Sequence, residues 1–294
     1  MPTSQDDGQL TTANALSGAI SGQVVQAGTV GEVHFHARAA IPAVPAQLPA
    51  APGRFASRDH ELRDLSRWLG SADQLLVVIS GPGGVGKTTL ALRWLHERRV
   101  DFPDGQLYVD LGGFSLAEPV SPTEVLEWFL LALGVAAEGI PTTLPQREAL
   151  YRSITADLSV VVLLENAASA AQVRPLLPAS QRSLVVVTSR WRLTGLAMVG
   201  ARFVDVEPMD VTGSMDLLRQ AVDPERVTAE PDALHEIAEL CDGLPLALSL
   251  VGARLSTHPR RRLSREVADL RTEQRRLAVL RVGDSSVEAV FDLS

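Results

Sequence analysis

A glycine-rich nonapeptide, GPGGVGKTT, carries Lys87, the only lysine of this 294-residue chain. A compact ammonium group can lie between phosphate oxygens as a point charge, whereas a planar guanidinium fits that place poorly. The residues from Gly81 to Thr88 match the pattern G-x-x-x-x-G-K-[ST], in which backbone N–H groups cradle phosphates. The candidate phosphate-binding residues are therefore Gly81, Pro82, Gly83, Gly84, Val85, Gly86, Lys87, Thr88 and Thr89.

The flanking sequence predicts the elements that position this loop. Residues 74–80 are an apolar, β-branched run typical of a buried parallel strand. Residues 86–100 have helical spacing and good helix formers. A loop between a strand and a helix N-terminus points N–H groups and the helix dipole at an anion. This context argues against a chance glycine-rich turn, and the sequence predicts a nucleotide site in which Thr88 offers its hydroxyl to Mg²⁺.

Two further side chains follow apolar strands and could complete the site. Glu165 ends the run VVVLLE and is the candidate carboxylate for Mg²⁺; the alternative is a solvated acid at a strand end. Arg190 follows the run LVVVTS, where a cation could meet a γ-phosphate; the alternative is an arginine on a loop edge. We take Glu165 and Arg190 as the candidate catalytic residues, and Thr88 and Glu165 as the candidate metal ligands.

Strands and helices alternate along the first two thirds of the chain. This order predicts an α/β fold with a parallel sheet and flanking helices, followed by a small all-α domain. The predicted strands are 74–80, 106–111, 159–165, 183–188 and 202–206. The predicted helices are 86–100, 122–134, 145–157, 168–175, 210–222, 230–241, 245–256 and 263–276.

Composition divides the chain and limits its class. The net charge of −8 does not favour general nucleic-acid binding. The single cysteine cannot form an internal disulfide, no signal peptide is evident and no apolar run is long enough to span a membrane, so we predict a cytoplasmic protein. The predicted parts are a Gly/Val-rich tail (1–36), an extended, solvated Pro/Ala linker (37–53), the α/β domain (54–208), the helical domain (209–282) and an interrupted further helix (283–294).

Eight short segments occur in an order that resembles the NB-ARC domain of the STAND class of signalling NTPases, in its bacterial branch. They are FASR (55–58), GPGGVGKTT (81–89), LYVDLGGF (107–114), VVLLENA (161–167), QVRPLLP (172–178), VVVTSR (185–190), VEPMD (206–210) and GLPLAL (243–248). The resemblance implies that Phe55, Arg58 and Pro245 flank the adenine of a bound ADP or ATP. It also implies that Arg190 senses the terminal phosphate, and that residues 283–294 begin a truncated winged-helix domain.

The sequence departs from this family at three points, which limit what the resemblance implies about nucleotide binding and hydrolysis. The family usually has aspartate at the position of Glu165 and glycine at the position of Ser57. We also expect the winged-helix histidine that contacts ADP in the family to be missing, since the winged-helix domain is interrupted after its first residues. Metal geometry, hydrolysis rate and the stability of an ADP-bound state are therefore in question, and we expect at most a slow ATPase.

Residues 14–36 combine small and β-branched side chains with spaced glycines and few charges, a composition expected of cross-β stacking. The segment Val24–Gly28 resembles the centre of amyloid signalling motifs related to the RIP homotypic interaction motif. A disordered tail and a small β-hairpin are the alternatives. If the resemblance holds, the partner would be an effector protein with a matching motif.

Four functions remain open from the sequence. The first is an ADP/ATP switch that couples nucleotide exchange to self-association and to signalling by the N-terminal motif. The second is a P-loop ATPase or kinase with turnover as its main role, for which neither a second substrate pocket nor a clear base is evident. The third is the NB-ARC part of a bacterial transcriptional regulator, without direct nucleic-acid binding by this chain. The fourth is a degenerate fragment.

Overall fold

A computed structural model describes residues 44–51, 53–69, 75–115 and 118–272. The tail (1–36), the first part of the linker and the segment 283–294 lie outside the described residues, so the predictions for them stay predictions. The described residues belong to one compact unit.

Five parallel strands form one sheet in the order β2-β3-β4-β1-β5. The sheet confirms the predicted fold class, and each strand agrees with its predicted range to within one residue at either end. The strands are β1 (Leu75–Ser80), β2 (Gly105–Asp110), β3 (Val160–Glu165), β4 (Leu184–Ser189) and β5 (Arg202–Asp205).

The central strands are apolar on both faces because helices cover both sides of the sheet. Alternate residues of β3 enter different cores: Val161 and Leu163 pack on one side, and Val160, Val162 and Leu164 on the other. All five of these side chains are fully buried. This two-sided burial is why β3 and β4 appear in the sequence as unbroken apolar runs.

Ten α-helices surround and follow the sheet in the described part of the chain. They are α1 (Asp59–Leu69), α2 (Lys87–Arg98), α3 (Pro122–Ala132), α4 (Leu144–Thr155), α5 (Ala170–Val173), α6 (Val211–Arg219), α7 (Pro224–Ala229), α8 (Pro231–Leu240), α9 (Pro245–Thr257) and α10 (Leu263–Leu270). Helices α1 and α7 were not predicted. The predicted helix 168–175 is only one turn long because Pro175 cannot donate to an α-helical ladder, and the chain continues as a 3₁₀ turn.

The last five helices form the helical region that follows β5. Helix α6 packs against α8 and α9, and α10 packs against α8. Proline occupies the first position of α7, α8 and α9, where its missing N–H costs no hydrogen bond. The proline that begins α9 is Pro245, so the helix start fixes the direction of this candidate site residue.

The described part of the linker lies along the free edge of the sheet. Ala46 forms a parallel bridge with Gln106 of β2. The Gln106 N–H donates to the Pro45 carbonyl at 2.7 Å, and the Gln47 N–H donates to the Gln106 carbonyl at 3.0 Å. The backbone of residues 45–47 is therefore paired with β2, although Ala46 and Gln47 remain exposed, and it covers an edge that would otherwise expose unpaired backbone groups.

The arginines of the helical region are largely neutralised by carboxylates. Arg261 pairs with Glu266 and Asp269, and Arg271 pairs with Glu236. Glu266 is fully buried, so its pairing with Arg261 belongs to the packed interior of this region. None of the described helices has the length and hydropathy needed to span a bilayer.

Candidate functional site

The glycine-rich loop connects the end of β1 to the start of α2. Gly81, Gly84 and Gly86 all have positive φ angles, and Gly86 forms the N-terminal cap of α2. A Cβ atom on Gly81 would lie 2.3 Å from the carbonyl oxygen of Val206, so only glycine fits there. Val85 is fully buried and anchors the loop in the core. The predicted phosphate cradle is thus present, with its position set by β1, α2 and the residue after β5.

The Lys87 ammonium folds back over the loop. Its Nζ donates to the carbonyl oxygens of Gly81 at 2.9 Å and Pro82 at 2.8 Å. Burial, and then the nearby Arg190 guanidinium, lower the pKa of Lys87 to about 8, although Glu165 acts in the opposite direction. Desolvation destabilises the charged amine, and a bound phosphate would restore its partner.

Thr88 and Glu165, the two candidate metal ligands, are in direct contact. The Thr88 hydroxyl donates to one oxygen of the Glu165 carboxylate, Oε1. The second oxygen, Oε2, accepts a hydrogen bond of 2.8 Å from the hydroxyl of Tyr108 on β2. Burial, followed by the hydrogen bond to Glu165, raises the pKa of Tyr108, so the phenol remains a donor.

These side chains fit Mg²⁺ by the chemistry of their atoms. The Thr88 hydroxyl and the Glu165 carboxylate are hard oxygen donors that lie side by side at the start of α2. Mg²⁺ is commonly bound by one or two protein oxygens together with nucleotide phosphates. In the described part of the chain no three His, Cys, Asp or Glu side chains cluster as a metal site.

Arg190 follows directly after β4 and lies near the loop. Its guanidinium stands 4.9 Å from the ring centroid of Phe114, a distance at which a cation is attracted by an aromatic face. Its charge contributes to the lowered pKa of Lys87, so the two cations share one electrostatic environment. Arg190 is not among the residues that line the phosphate-end cavity, but it is close enough to Lys87 for an added negative charge to relieve their repulsion.

A cavity next to the loop is lined by the residues that the resemblance places around adenine. Its volume is about 140 Å³. Helix α9 contributes Pro245 and Ser249, and Thr89 comes from α2. The remaining lining residues are Arg54, Phe55, Ala56, Arg58, Val85, Gly86, Met209 and Leu217. A separate cavity lies at the phosphate end beside Lys87 and Thr88, and Pro245 and Ser249 of α9 line both cavities.

Arg58 lines this cavity, but its guanidinium also binds the protein backbone. It is only 6% exposed. Nη2 donates to the carbonyl oxygens of Val85 at 3.1 Å and Glu207 at 2.8 Å, and Nη1 pairs with Glu61 at 2.9 Å. Arg58 therefore joins α1, the phosphate loop and the segment between β5 and α6.

The helical region is also joined to the loop through its backbone. The N–H of Leu246, in the first turn of α9, donates to the carbonyl of Gly84 at 3.1 Å. The Met209 N–H donates to the Gly243 carbonyl at 2.8 Å, which fixes the chain just before α9. Two consecutive loop carbonyls, those of Gly84 and Val85, thus accept hydrogen bonds from outside the loop.

Tyr108 and Ser249 are two polar side chains at the site that the sequence analysis did not select as site residues. Tyr108 lies in the predicted strand LYVD, and Ser249 lies one helical turn after Pro245. Spacing along α9 could have indicated Ser249. Tyr108 needed the register of β2 against β3, which pairs Tyr108 with Leu163, two residues before Glu165.

The fold and the glycine-rich loop define this chain as a P-loop NTPase, a class whose fold implies nucleotide binding. Most of this chain is similar in sequence to one particular protein. The regulatory protein AfsR of Streptomyces coelicolor is 43% identical over 257 residues, covering 85% of this chain and 26% of AfsR. The regulatory protein AfsR of Streptomyces griseus is 43% identical over 252 residues, with the same coverage. The chain thus spans about a quarter of the length of these relatives.

No protein-family model matches the chain. Among solved structures, Cdc6p from Pyrobaculum aerophilum superposes with a TM-score of 0.51 at 15% identity, covering 74% of this chain and 69% of Cdc6p. At this level of identity the superposition supports the fold.

Proposed function

We propose that the chain is the nucleotide-operated switch module of a regulatory protein, of the NB-ARC type within the STAND class, that binds ADP and ATP. The similarity to AfsR supports a regulatory role, and the order of the eight sequence segments supports the NB-ARC type. These relatives favour the third function considered in the sequence analysis, the NB-ARC part of a bacterial transcriptional regulator, over a free-standing signalling protein. Coupling to self-association and to an N-terminal motif remains a prediction.

The observation that carries this proposal is the hydrogen bond from Leu246 to Gly84. It attaches the start of α9, and with it Pro245, to the loop that would hold the phosphates. A nucleotide that occupied both neighbouring cavities would therefore contact the α/β part and the helical region together. A ligand shifts a conformational equilibrium only through differential contacts, and contacts to both parts supply them.

Different residues of the site would bind the base and the phosphates of the nucleotide. The cavity around Phe55, Arg58 and Pro245 would take the adenine. The loop N–H groups and Lys87 would hold the phosphates, with Lys87 exchanging its contacts to Gly81 and Pro82 for phosphate oxygens. Mg²⁺, when bound, would neutralise phosphate charge beside Thr88 and Glu165. Arg190 would meet the terminal phosphate that distinguishes ATP from ADP.

A turnover ATPase is the second candidate, and the site favours it less. Among the described residues that line the phosphate end, Glu165 is the only acid. Both of its oxygens already accept hydroxyl donors. A carboxylate held in this way is better placed to support a cation than to activate water, so any hydrolysis should be slow and act as a timer.

The nucleotide that copurifies with the protein tests the proposal. The purified chain is denatured by heat, and the released nucleotide is identified by chromatography and quantified per chain. We expect ADP at near one equivalent from a switch that rests closed. If no nucleotide is released and added ADP and ATP also fail to bind in a calorimetric titration, the proposed function is wrong.

A further inference from the structure

Tyr108 reaches Glu165 because of the register of two parallel strands. Tyr108 lies opposite Leu163 on β3, and Glu165 is the next residue of β3 on the same face. An aromatic side chain is long enough to contact such a diagonal neighbour. The neighbours of Tyr108 on β2, Leu107 and Val109, enter the opposite core, so the phenol is directed to the α2 side of the sheet.

The contact gives Glu165 a second fixed point. Glutamate has one more methylene and one more rotatable bond than the aspartate that the NB-ARC resemblance leads one to expect. One donor, the Thr88 hydroxyl, would leave the longer side chain free to turn about that contact. With Tyr108 on Oε2 and Thr88 on Oε1, both oxygens are held and the carboxylate plane is defined.

Tyr108 is itself held in place. Its backbone N–H donates to the side-chain oxygen of Gln47 at 3.2 Å, and its ring packs against the core that contains Leu90 and Trp94. Its hydroxyl is therefore presented by a strand and a packed ring rather than by a mobile loop. A rigid support of this kind is what a metal-binding carboxylate requires.

We propose that Tyr108 is a positioning residue for Glu165. Its hydroxyl holds the longer glutamate side chain so that the carboxylate can support Mg²⁺ at the phosphate end of the site. The proposal rests on the proposed function, because it assigns Tyr108 to the Mg²⁺-dependent part of nucleotide binding. It assigns Tyr108 no contact with the nucleotide.

The test compares affinities for a fluorescent ADP analogue with excess Mg²⁺ and with EDTA, in the full chain. Tyr108→Phe should lower the gain in affinity that Mg²⁺ provides by about three- to tenfold, because it removes a hydrogen bond to a charged group. The affinity in EDTA should stay unchanged, since Tyr108 does not touch the nucleotide. Equal losses in Mg²⁺ and in EDTA would show a purely structural role and would overturn the proposal.

Two further variants sharpen this test. Glu165→Asp withdraws the carboxylate from Tyr108 by one methylene, so adding Tyr108→Phe to Glu165→Asp should cause no further loss. An undiminished second loss would also overturn the proposal. Tyr151→Phe is the matched control, because Tyr151 is fully buried and its hydroxyl finds no hydrogen-bond partner in the described part of the chain. This control should leave the Mg²⁺ gain unchanged.

Binding measurements on the wild-type protein distinguish a failure of this inference from a failure of the proposed function. If the analogue binds equally with Mg²⁺ and with EDTA, the role of Tyr108 is refuted while nucleotide binding stands. If the analogue binds under neither condition, and unlabelled ADP also fails to bind, both proposals fail.

Discussion

The side chain of Ser57 occupies the space in which a Cβ atom of Gly213 would lie. Such a Cβ would approach Ser57 Oγ to 2.5 Å and Ser57 Cβ to 2.6 Å. Ser57 has a φ of 51°, in the left-handed region that favours glycine. The serine that departs from the NB-ARC pattern is therefore accommodated by a glycine in the first turn of α6.

This relationship predicts coupling between the two positions. Gly213→Ala alone should destabilise the protein by about 1–3 kcal/mol through steric overlap. In a Ser57→Gly background the same substitution should cost less, and the coupling energy should be about 1–2 kcal/mol. Urea unfolding of the four proteins with a common m-value would measure it. Strictly additive effects would show that the two residues do not compete for this space.

Removing the only lysine tests the phosphate site. Lys87→Ala should weaken ADP and ATP binding by about 100-fold, because it removes a charge-assisted contact to phosphate. Calorimetric titration would measure both affinities. Arg152→Ala is the control: it removes a positive charge from an exposed position of α4 that pairs with Glu148 at 3.6 Å. Normal nucleotide affinity in Lys87→Ala would refute the assigned role.

The lowered pKa of Lys87 predicts how binding depends on pH. In the free protein the pKa is about 8, and a bound phosphate would raise it by stabilising the ammonium. Binding therefore takes up a proton between the two pKa values. As the pH rises above 8, affinity should fall by at most about tenfold per pH unit. Titrations at successive pH values would give the slope, and Lys87→Ala should remove this dependence.

Arg190 is expected to distinguish the two nucleotides. Arg190→Gln should weaken ATP by about tenfold while changing ADP little, because only ATP offers the terminal phosphate. The same substitution removes a cation that lowers the pKa of Lys87, so the pH dependence should move to higher pH. Competition titrations with the two nucleotides would check the first expectation. Equal losses for ADP and ATP would mean that Arg190 does not sense the terminal phosphate.

Arg58 should contribute to stability more than to selectivity. Arg58→Met leaves the carbonyls of Val85 and Glu207 and the carboxylate of Glu61 without this partner, at a cost of about 2–4 kcal/mol. Binding of ADP and ATP should weaken together, since the loop loses one of its supports. Urea unfolding with and without ADP would separate the two effects. A loss confined to one nucleotide would point to direct contact instead.

The sequence predicted the sheet well because burial on both faces leaves an unmistakable apolar run in β3 and β4. Helix α1 was missed although Leu62, Leu65 and Leu69 have helical spacing, because charged residues between them lower its mean hydropathy. In contrast, the shortening of α5 follows from Pro175 and could have been anticipated.

At the site, local patterns were sufficient for the loop and for the ends of β3 and β4. Glu165 and Thr88 are 77 residues apart, yet the rule that parallel strands end at one edge predicts their proximity. The contacts of Tyr108 with Glu165 and of Leu246 with Gly84 depend on strand register and helix docking. No local pattern encodes those, and only the structure supplies them.

The lowered pKa of Lys87 predicts that its amine reacts more readily than that of an ordinary lysine. At neutral pH an amine with a pKa of about 8 is neutral, and hence nucleophilic, far more often than an ordinary lysine. Since no other lysine exists in the chain, an amine-directed acylating reagent can modify only this side chain and the amino terminus. After brief acylation, the modified fraction of the peptide that contains Lys87 would then report how far the loop is occupied, without an introduced label.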